Sequence, residues 1–433
     1  MKKTIILMVV IMMETLLAGE KIDNIYLEKL QNGTTVIIKE RPDTEAVSVQ
    51  VWFGIGSVYE GENEKGISHF LEHMLFNGTK YTAPGEIEAQ IEKKGGYINA
   101  ATSFDFTYYY INIAAPFWEE ALTYLYYMTT APLLSDEMVE KEKPIVLEEL
   151  NRHLDNPKSY LWDTYYSLAY KVSNYKHPVI GYRHTIENFT GEMVRNYFYK
   201  HYVPSVMTVV IAGNIKTPEV IKKIKQTFGT VQREKYTPPP IPLEPPQKEI
   251  RKKQLKKKQV TRAYVAIGWQ APPAKSKEAF TANVLEEILT GGRTSIMYQE
   301  IREKGLAQAI YGGYMAHKGT SQFLFYFVTE PEKIEKVKNK LFEIIKTYRE
   351  KGVPQQLVEK AKKRLINREI FSREEVDNDA ESAGYASAVI NDIKYDIEYT
   401  KNIKKVTKSQ IDEFIKKYLK DSNYTQVELI PKN

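Results

Sequence analysis

The feature that most constrains the fold is a repeat, because both halves of the chain carry the same landmarks at nearly constant spacing. Residues 190–202 read TGEMVRNYFYKHY and precede an apolar strand, and residues 407–419 read TKSQIDEFIKKYL and precede another, at an offset of 217. The predicted strands that end at Gly54 and Gly268 are offset by 214. A near-constant offset between separated landmarks indicates a duplicated domain.

A proline-rich stretch separates the two halves. Residues 237–247 contain six prolines, and a run rich in lysine follows at 248–258. Such a segment is extended and semi-rigid, and a solvated linker explains the basic run better than an attraction to acidic partners does. We therefore expect a leader at 1–19, an α+β domain at 20–233, a Pro/Lys-rich linker at 234–259 and a second, homologous α+β domain at 260–433.

Local patterns predict that each domain is a mainly antiparallel sheet packed with helices. Asn32-Gly33 indicates a type I′ hairpin between strands at 25–30 and 34–39, and alternating valines at 46–54 indicate a half-buried strand. Further elements follow from periodicity and from turn residues. These are strands at 97–101, 107–114 and 207–212, and helices at 84–94, 117–130 and 136–155.

The first residues predict export. Two lysines precede an apolar run at 4–13, and a small-residue exit follows, as in a secretory signal peptide. Glu14 and Leu16 make the cleavage site imperfect, so a retained N-terminal anchor is the alternative. The run is too short to span a membrane comfortably, and no later stretch is apolar enough. We expect a periplasmic protein without a membrane span in the mature chain.

Composition excludes several kinds of chemistry. The chain has no cysteine, which excludes a thiol nucleophile, thiolate metal ligands and disulfide bonds. The net charge of +6 is small for 433 residues, and we expect no nucleic-acid partner.

One predicted helix combines an apolar face with two imidazoles. Residues 65–77 read KGISHFLEHMLFN. Helical periodicity places five apolar side chains on one side, namely Ile67, Phe70, Leu71, Met74 and Leu75. His69, Glu72 and His73 fall on the other side, where two imidazoles four positions apart suit Zn²⁺ and Glu72 lies ready to accept a proton from water. A surface helix that carries two histidines by chance is the alternative, but the clean division of faces favours the metal site, and H-x-x-E-H is the inverzincin signature.

A carboxylate is the usual third protein ligand of such a site. The helix at 136–155 places Glu142 and Glu149 on the same side as Met138, Ile145 and Val146, whereas Glu148 falls on the polar side. Two carboxylates on an apolar face are costly to bury without partners, and a metal ion removes that cost. Pro144 can shift the helical phase, so periodicity alone leaves the choice between Glu149 and Glu148 open.

Several segments resemble the pitrilysin/insulinase family of zinc metallopeptidases. They are GISHFLEHMLFNGT, GGYINAATSFDFTYYY, KEKPIVLEELNRHLDNP and REKGLA, together with the spacing of 76 residues from His73 to Glu149. The similarity covers nearly the whole chain after the leader. It is strongest to the branch that contains the mitochondrial processing peptidase β subunit and bacterial processing proteases. The resemblance implies two homologous domains that enclose a substrate chamber.

The resemblance also implies roles for individual residues. His69, His73 and Glu149 would bind one zinc ion, Glu72 would be the general base, and Glu142 would support the site as a second acidic group. Asn99 and Ala100 match the edge strand that pairs with the substrate backbone. On an offset of about 215, the metal helix maps onto VLEEI at 284–288, where both imidazole positions are apolar, so the second domain would not bind zinc.

The chain departs from the family pattern in its second half. Family members that act alone carry an arginine and, a few positions later, a tyrosine that hold the substrate carbonyl. Here Arg302 is present, but Gln308 stands where the tyrosine is expected, and Tyr311 is out of register. Either Gln308 or Tyr311 substitutes, or a homologous subunit supplies an Arg/Tyr pair. We favour the heterodimer, with a homodimer as the alternative.

The sequence thus predicts an exported zinc metalloendopeptidase that acts on extended peptides or unfolded polypeptides. One alternative is a zinc-binding subunit that is inactive without a homologous Arg/Tyr-bearing partner. Another is a peptide-binding protein that hydrolyses nothing.

Overall fold

A computed structural model describes residues 19–22 and 25–432, which form two compact units. Of the described residues, the first unit comprises those up to Val146 together with Val179–Pro239 and Ser372–Asp396, and the second comprises Leu147–Pro178, Pro240–Phe371 and those from Ile397 onward. Apart from Gly19, the predicted leader lies outside the described residues, and export stays a prediction. None of the described helices combines the length and the apolarity needed to cross a bilayer.

The first unit is built on a seven-stranded sheet with the order β1-β2-β3-β7-β4-β6-β5. Neighbouring strands are antiparallel except for β3 and β7, which are parallel. The strands are β1 Glu20–Ile22, β2 Ile25–Lys29, β3 Thr35–Glu40, β4 Ala46–Phe53, β5 Tyr97–Thr102, β6 Thr107–Ala114 and β7 Met207–Gly213.

The second unit contains a five-stranded sheet with the order β10-β11-β9-β12-β8. Its strands are β8 Arg251–Lys257, β9 Ala263–Ala271, β10 Ala309–Met315, β11 Ser321–Thr329 and β12 Thr425–Pro431. This order repeats β5-β6-β4-β7-β3 of the first sheet strand for strand. The pair β8/β12 is parallel, as is its counterpart β3/β7. The shared topology is what a duplicated domain would give.

Helices pack against both sheets. They are α1 Ile67–Met74, α2 Glu86–Lys93, α3 Trp118–Thr130, α4 Asp136–Asp155, α5 Pro157–Ala169, α6 Arg183–Glu187, α7 Gly191–His201, α8 Thr217–Gln226, α9 Glu278–Thr290, α10 Ile334–Lys351, α11 Gln355–Ser372, α12 Val376–Tyr385, α13 Lys394–Ile397, α14 Tyr399–Lys405 and α15 Lys408–Tyr418. Mixed helices and mostly antiparallel sheets make this an α+β fold, as the sequence predicts.

Each half of the chain gives one helix to the other half's sheet. Helix α12, from the C-terminal half, packs on β4 and β7 in the first unit. Helix α5, from the N-terminal half, packs on β9 and β12 in the second. The units therefore differ from the contiguous stretches 20–233 and 260–433. The segment with α5 packs with the second unit, and the segment with α12 packs with the first.

The exchange explains why strand β4 is buried on both faces instead of one. Val47, Val49 and Val51 lie in the core as the alternation predicts, but Trp52 and Gln50 are also buried. The indole N–H of Trp52 donates a hydrogen bond to the side-chain oxygen of Gln50 (2.8 Å). The side-chain NH₂ group of Gln50 in turn donates to the backbone carbonyl of Asp377, near the start of α12 (3.1 Å). The prediction of a half-buried strand is wrong because α12 covers the second face.

A buried ionic cluster fixes the exchanged segment to the first sheet. Lys39 on β3 is only 1% exposed, and its Nζ lies 2.8 Å from Asp379 Oδ1 and 2.9 Å from Asp396 Oδ2. Arg373 pairs with the same two carboxylates (3.1 and 2.6 Å). Arg41 Nη1 also lies 3.7 Å from Asp379 Oδ2, so three cations surround two buried carboxylates inside the first unit.

Two local predictions need correction. The turn between β2 and β3 is not type I′, because Gly33 has a positive φ (101°) but Asn32 does not. Instead Gly33 N–H donates to Leu30 C=O, while the Asn32 amide binds the carbonyl of Phe228. The basic part of the predicted linker is also ordered as β8, an edge strand whose lysines suit a position with one open side.

Candidate metal centre

Helix α1 separates its side chains as the sequence predicts. Ile67, Phe70, Leu71, Met74 and Leu75 are completely buried. His69, Glu72 and His73 are partly exposed. The apolar face therefore anchors the helix in the core of the first unit and leaves the polar groups on its accessible side.

The start of helix α1 is capped by a residue outside the helix. Gly66 has a φ of 97°, and a Cβ atom there would lie 2.6 Å from the carbonyl oxygen of Ile180. The carboxylate of Glu60 accepts hydrogen bonds from the N–H groups of Gly66 and Ser68 (2.9 Å each). Burial raises the pKa of Glu60 to about 7. Sequence reasoning missed this residue, although the lack of a Ser, Thr, Asp or Asn cap before α1 signals that another group must fill the role.

The structure brings His69, His73 and Glu149 together. Each offers one ligand atom, and these atoms all lie within 4.8 Å of one another. The two imidazole rings are 4.8 Å apart between centroids. Helix α4 runs unbroken across Pro144 and carries Glu149 to the histidines, whereas Glu148 is exposed. Of the two carboxylates that periodicity left open, Glu149 is the one that lies at the cluster.

Helix α4 follows the predicted faces with one exception. Val139, Glu142, Val146 and Leu150 are buried, and Glu149 is half-buried beside them. Ile145, which was expected on this face, is 53% exposed. The buried stripe therefore lies slightly to one side of the predicted one.

Glu142 holds the ring of His73. Its Oε1 lies 2.9 Å from His73 Nδ1, and its Oε2 accepts from the amide of Asn77 (2.7 Å). Burial raises the pKa of Glu142, but the hydrogen bonds from His73 and Asn77 outweigh burial and leave the pKa below its usual value. An ionised Glu142 therefore accepts a hydrogen bond from the Nδ1–H group of His73. The proton stays on Nδ1, and the lone pair of Nε2 is left available to bind a metal ion.

This donor set fits zinc. Two imidazole nitrogens and one carboxylate oxygen are the ligands of many catalytic zinc sites, and the fourth position is left for water or substrate. A metal-binding histidine commonly donates its other ring N–H to a carboxylate, which is the relation between His73 and Glu142. The residues of this chain therefore match both the direct ligands and their support.

Glu72 lies on the same side of helix α1 and has a partner that the sequence did not reveal. Its Oε2 accepts a short hydrogen bond from the hydroxyl of Thr102. Thr102 is the last residue of strand β5. The predicted general base is thus joined to the predicted substrate strand.

Strand β5 is the last strand of the first sheet and pairs only with β6 among the described strands. Asn99 donates to the hydroxyl of Tyr97 (2.6 Å), and its side-chain oxygen accepts from the N–H of Ala100 (2.9 Å). The strand therefore presents an open edge with Asn99 and Ala100 in its middle. Their role in substrate binding stays a prediction.

The other predicted substrate-binding residues lie in the second unit. Arg302 ends a π-helical turn, Tyr298–Arg302, and its guanidinium lies 4.7 Å from the ring centre of Tyr298. Its Nε donates to the carbonyl of Gln308 (3.1 Å), just before β10, and both residues are exposed. Tyr311, on β10, is 63% exposed and stacks on Tyr326.

The second copy of the metal helix, α9, carries an ion cluster where the first has its ligands. Val284 and Ile288, which stand at the imidazole positions, are buried. Glu287, at the position of Glu72, is buried and pairs with Arg364 and Arg368 on α11. Among the described residues, the second unit contains no cluster of His, Cys, Asp or Glu suited to a metal.

Models of known protein families match both halves of the chain. Residues 35–183 match the family described as "Insulinase (Peptidase family M16)", and residues 188–365 match "Peptidase M16 inactive domain". The two matches together cover most of the chain. The protein belongs to peptidase family M16.

Proteins named as zinc proteases match this chain along most of their length. A Bacillus subtilis protein named "Uncharacterized zinc protease YmxG" is 28% identical, over 77% of this chain and 81% of its own length. "Zinc protease PqqE" of Helicobacter pylori is 27% identical, over 93% of this chain and 92% of its own. The names of these relatives support membership of a zinc peptidase family.

Solved structures support the M16 fold. A protease from Helicobacter pylori superposes with a TM-score of 0.90 at 24% identity, covering 94% of this chain and 99% of its own. An M16-like peptidase from Alicyclobacillus acidocaldarius superposes with a TM-score of 0.85 at 21% identity, covering 95% and 100%. These likenesses concern the fold.

Proposed function

We propose that this M16 protein is a zinc metalloendopeptidase that hydrolyses peptide bonds in extended peptides or unfolded polypeptides. The observation that carries the proposal is the convergence of His69, His73 and Glu149 within 4.8 Å, with Glu72 one residue from His73 on the same side of the helix. A structural zinc site needs no such carboxylate beside its ligands, whereas a hydrolytic site needs a group to accept a proton from water.

Residues of helices α1 and α4 have separate roles in the proposed reaction. His69, His73 and Glu149 would hold zinc, which supplies a Lewis acid that polarises a carbonyl group and lowers the pKa of water. Glu72 accepts the proton of the attacking water at Oε1, because Oε2 is already bound to Thr102, and then delivers it to the leaving amine. Glu142 keeps His73 oriented throughout.

The open edge of β5 supports an extended substrate. A peptide that adds to a sheet edge forms backbone hydrogen bonds whatever its sequence, which suits an enzyme that acts on unfolded chains. The substrate strand and the proton acceptor are joined through Thr102, so a peptide paired along β5 would lie beside Glu72.

The wild type and three variants test the proposal. The wild-type protein should contain about one zinc per chain and cleave an extended peptide. Glu72→Gln should keep its zinc and lose activity by about 10²-fold or more, as for a lost general base. Glu149→Gln should lose most of its zinc, and Glu148→Gln, the matched control on the same helix, should not. Retained activity in Glu72→Gln with zinc bound would refute the mechanism, and equal zinc loss in the two helix variants would refute the ligand assignment.

We further propose that a homologous subunit with an Arg/Tyr pair raises this activity. Gln308 stands at the expected tyrosine position, and Arg302 is engaged by Tyr298 and by the Gln308 carbonyl. Positioned donors at a developing oxyanion are worth about 10²–10³ in rate, so a chain without the tyrosine should be slow alone. Assays of this chain alone, with such a subunit, and with that subunit lacking its Arg/Tyr pair would decide. Equal rates in all three would exclude the partner and leave Gln308 or Tyr311 as the substitute.

A further inference from the structure

The hydroxyl of Thr102 is the hydrogen-bond donor that the described part of the chain provides to Glu72. Thr102 comes from a different element, strand β5, and stands 30 residues further along the chain. A glutamate side chain has three rotatable bonds, so a single fixed donor strongly restricts where its carboxylate points.

The backbone around Thr102 is held firmly in place. Thr102 pairs with Thr107 across the β5–β6 hairpin, and Ser103 N–H donates to Phe106 C=O within the turn (2.8 Å). The carbonyls of Ser103 and Phe104 accept from the N–H groups of Ser57 and Val58 (3.2 and 2.9 Å). The donor therefore sits on a turn tied to a second loop.

We propose that Thr102 is a positioning residue that orients the Glu72 carboxylate and couples it to the strand on which substrate pairs. This inference rests on the proposed function, because it assigns a role in the same reaction. With Oε2 bound to Thr102, Oε1 is the oxygen presented for proton transfer. A peptide that pairs along β5 contacts the same strand that holds Glu72. The position of the substrate relative to the Glu72 carboxylate is therefore set by one strand.

Isosteric replacement provides the test. Thr102→Val keeps the strand-forming, branched side chain but removes the donor, and Thr102→Ser restores the hydroxyl. We expect Thr102→Val to lower kcat by about 10- to 10²-fold, since misplacing a catalytic group by about 1 Å costs up to that factor. KM should stay within about twofold, because substrate pairing uses the backbone, and Thr102→Ser should recover most of the rate. Zinc content should be unchanged in both variants.

Three results would overturn the inference. They are an unchanged kcat in Thr102→Val, an effect on KM alone, and equal impairment of Thr102→Ser and Thr102→Val. Loss of zinc in Thr102→Val would likewise show that Thr102 supports the metal ligands and not Glu72.

A second measurement separates this inference from the proposed function. Thermal unfolding midpoints of the zinc-loaded wild type, Thr102→Val, Glu72→Ala and the double variant form a cycle that reports the contact without catalysis. We expect the double variant to shift less than the sum of the single shifts. Additive shifts in an active wild type would overturn the inference alone. A wild type that binds zinc but cleaves no peptide, either alone or with the homologous subunit, would overturn the proposed function and with it the catalytic role of Thr102, even if the shifts are coupled.

Discussion

The Nδ1 atom of His73 lies 2.9 Å from Oε1 of Glu142, whose other oxygen is held by Asn77. The Glu142 carboxylate therefore holds the ring of His73 through Nδ1, and the hydrogen bond from Asn77 holds that carboxylate in place. Glu142 belongs to the same helix as Glu149, so α4 supplies both a ligand and the support of another ligand.

This relation predicts that Glu142→Gln weakens zinc binding by about 10- to 100-fold, the usual effect of losing such an outer partner. The amide still reaches Nδ1 but carries no charge to favour the Nδ1–H tautomer. Competition against a chelator of known affinity would measure the change. Glu140→Gln is the matched control, because Glu140 lies on the same helix with its side chain exposed and paired with Lys143. Equal affinities in the two variants would contradict the prediction.

The acid stability of the first unit should depend on His201. Its ring is 1% exposed and lies 4.3 Å from the ring of Tyr197 and 4.7 Å from that of Tyr236, between centroids. Burial lowers the pKa of His201 to about 3. Because the unfolded chain binds this proton near pH 6.5 and the folded chain does not, stability is full above that pH and falls between about pH 6.5 and pH 3.

The expected slope from this one group is about 1.4 kcal/mol per pH unit within that window. Urea unfolding of the metal-free protein at pH 7, 6 and 5 would measure it, since removing the metal excludes acid release of zinc. His201→Phe keeps an aromatic ring and should flatten the dependence by that amount. Identical slopes in His201→Phe and the wild type would show that His201 does not limit stability in acid.

The cluster around Lys39 predicts a large loss of stability on removing one charge. Lys39→Met leaves Asp379 and Asp396 buried, with Arg373 and the more distant Arg41 as their remaining cationic partners. Breaking a buried ion pair in this way costs about 3–5 kcal/mol in free energy of unfolding. Denaturant unfolding would measure it, with Lys29→Met, an exposed lysine on the neighbouring strand β2, as the control. A loss below about 1 kcal/mol, the range of a surface pair, would contradict the prediction.

A substitution in helix α9, the second copy of the metal helix, should lower the stability of the protein without lowering its zinc content. Glu287→Ala removes the partner of Arg364 and Arg368, whose side chains are 44% and 60% exposed. Since water can still solvate both guanidinium groups, the loss should be modest, about 1–3 kcal/mol. Zinc content should stay at about one per chain, measured by elemental analysis. A fall in zinc content would show that the metal does not belong to the first copy alone.

The sequence predicted what depends on local periodicity. The apolar residues from Ile67 to Leu75 recur with helical periodicity. This pattern predicted both the buried face of α1 and the opposite face, which carries His69, Glu72 and His73. The strand at 107–114 and the helix at 136–155 have their predicted bounds, because alternation and capping are local signals. Periodicity left Glu149 and Glu148 open as the third ligand because Pro144 could shift the helical phase, but the helix continues through Pro144.

The sequence did not predict contacts between distant segments. Thr102 and Glu60 carry no pattern that marks them as partners of helix α1, since only the folded chain brings them to Glu72 and Ser68. The prediction for β4 failed for the same reason, because its second face is covered by a helix more than 300 residues away.

The exchange of α5 and α12 also constrains how the protein is made. Strand β7, the last strand of the first sheet in chain order, ends at Gly213, but α12 does not begin until Val376. Ribosomes add about 5–20 residues per second, so the newly made sheet waits on the order of ten seconds or more for the helix that covers Trp52 and Gln50. During that interval an apolar face is open to chaperones or to aggregation, and a chain truncated before α12 would never close it.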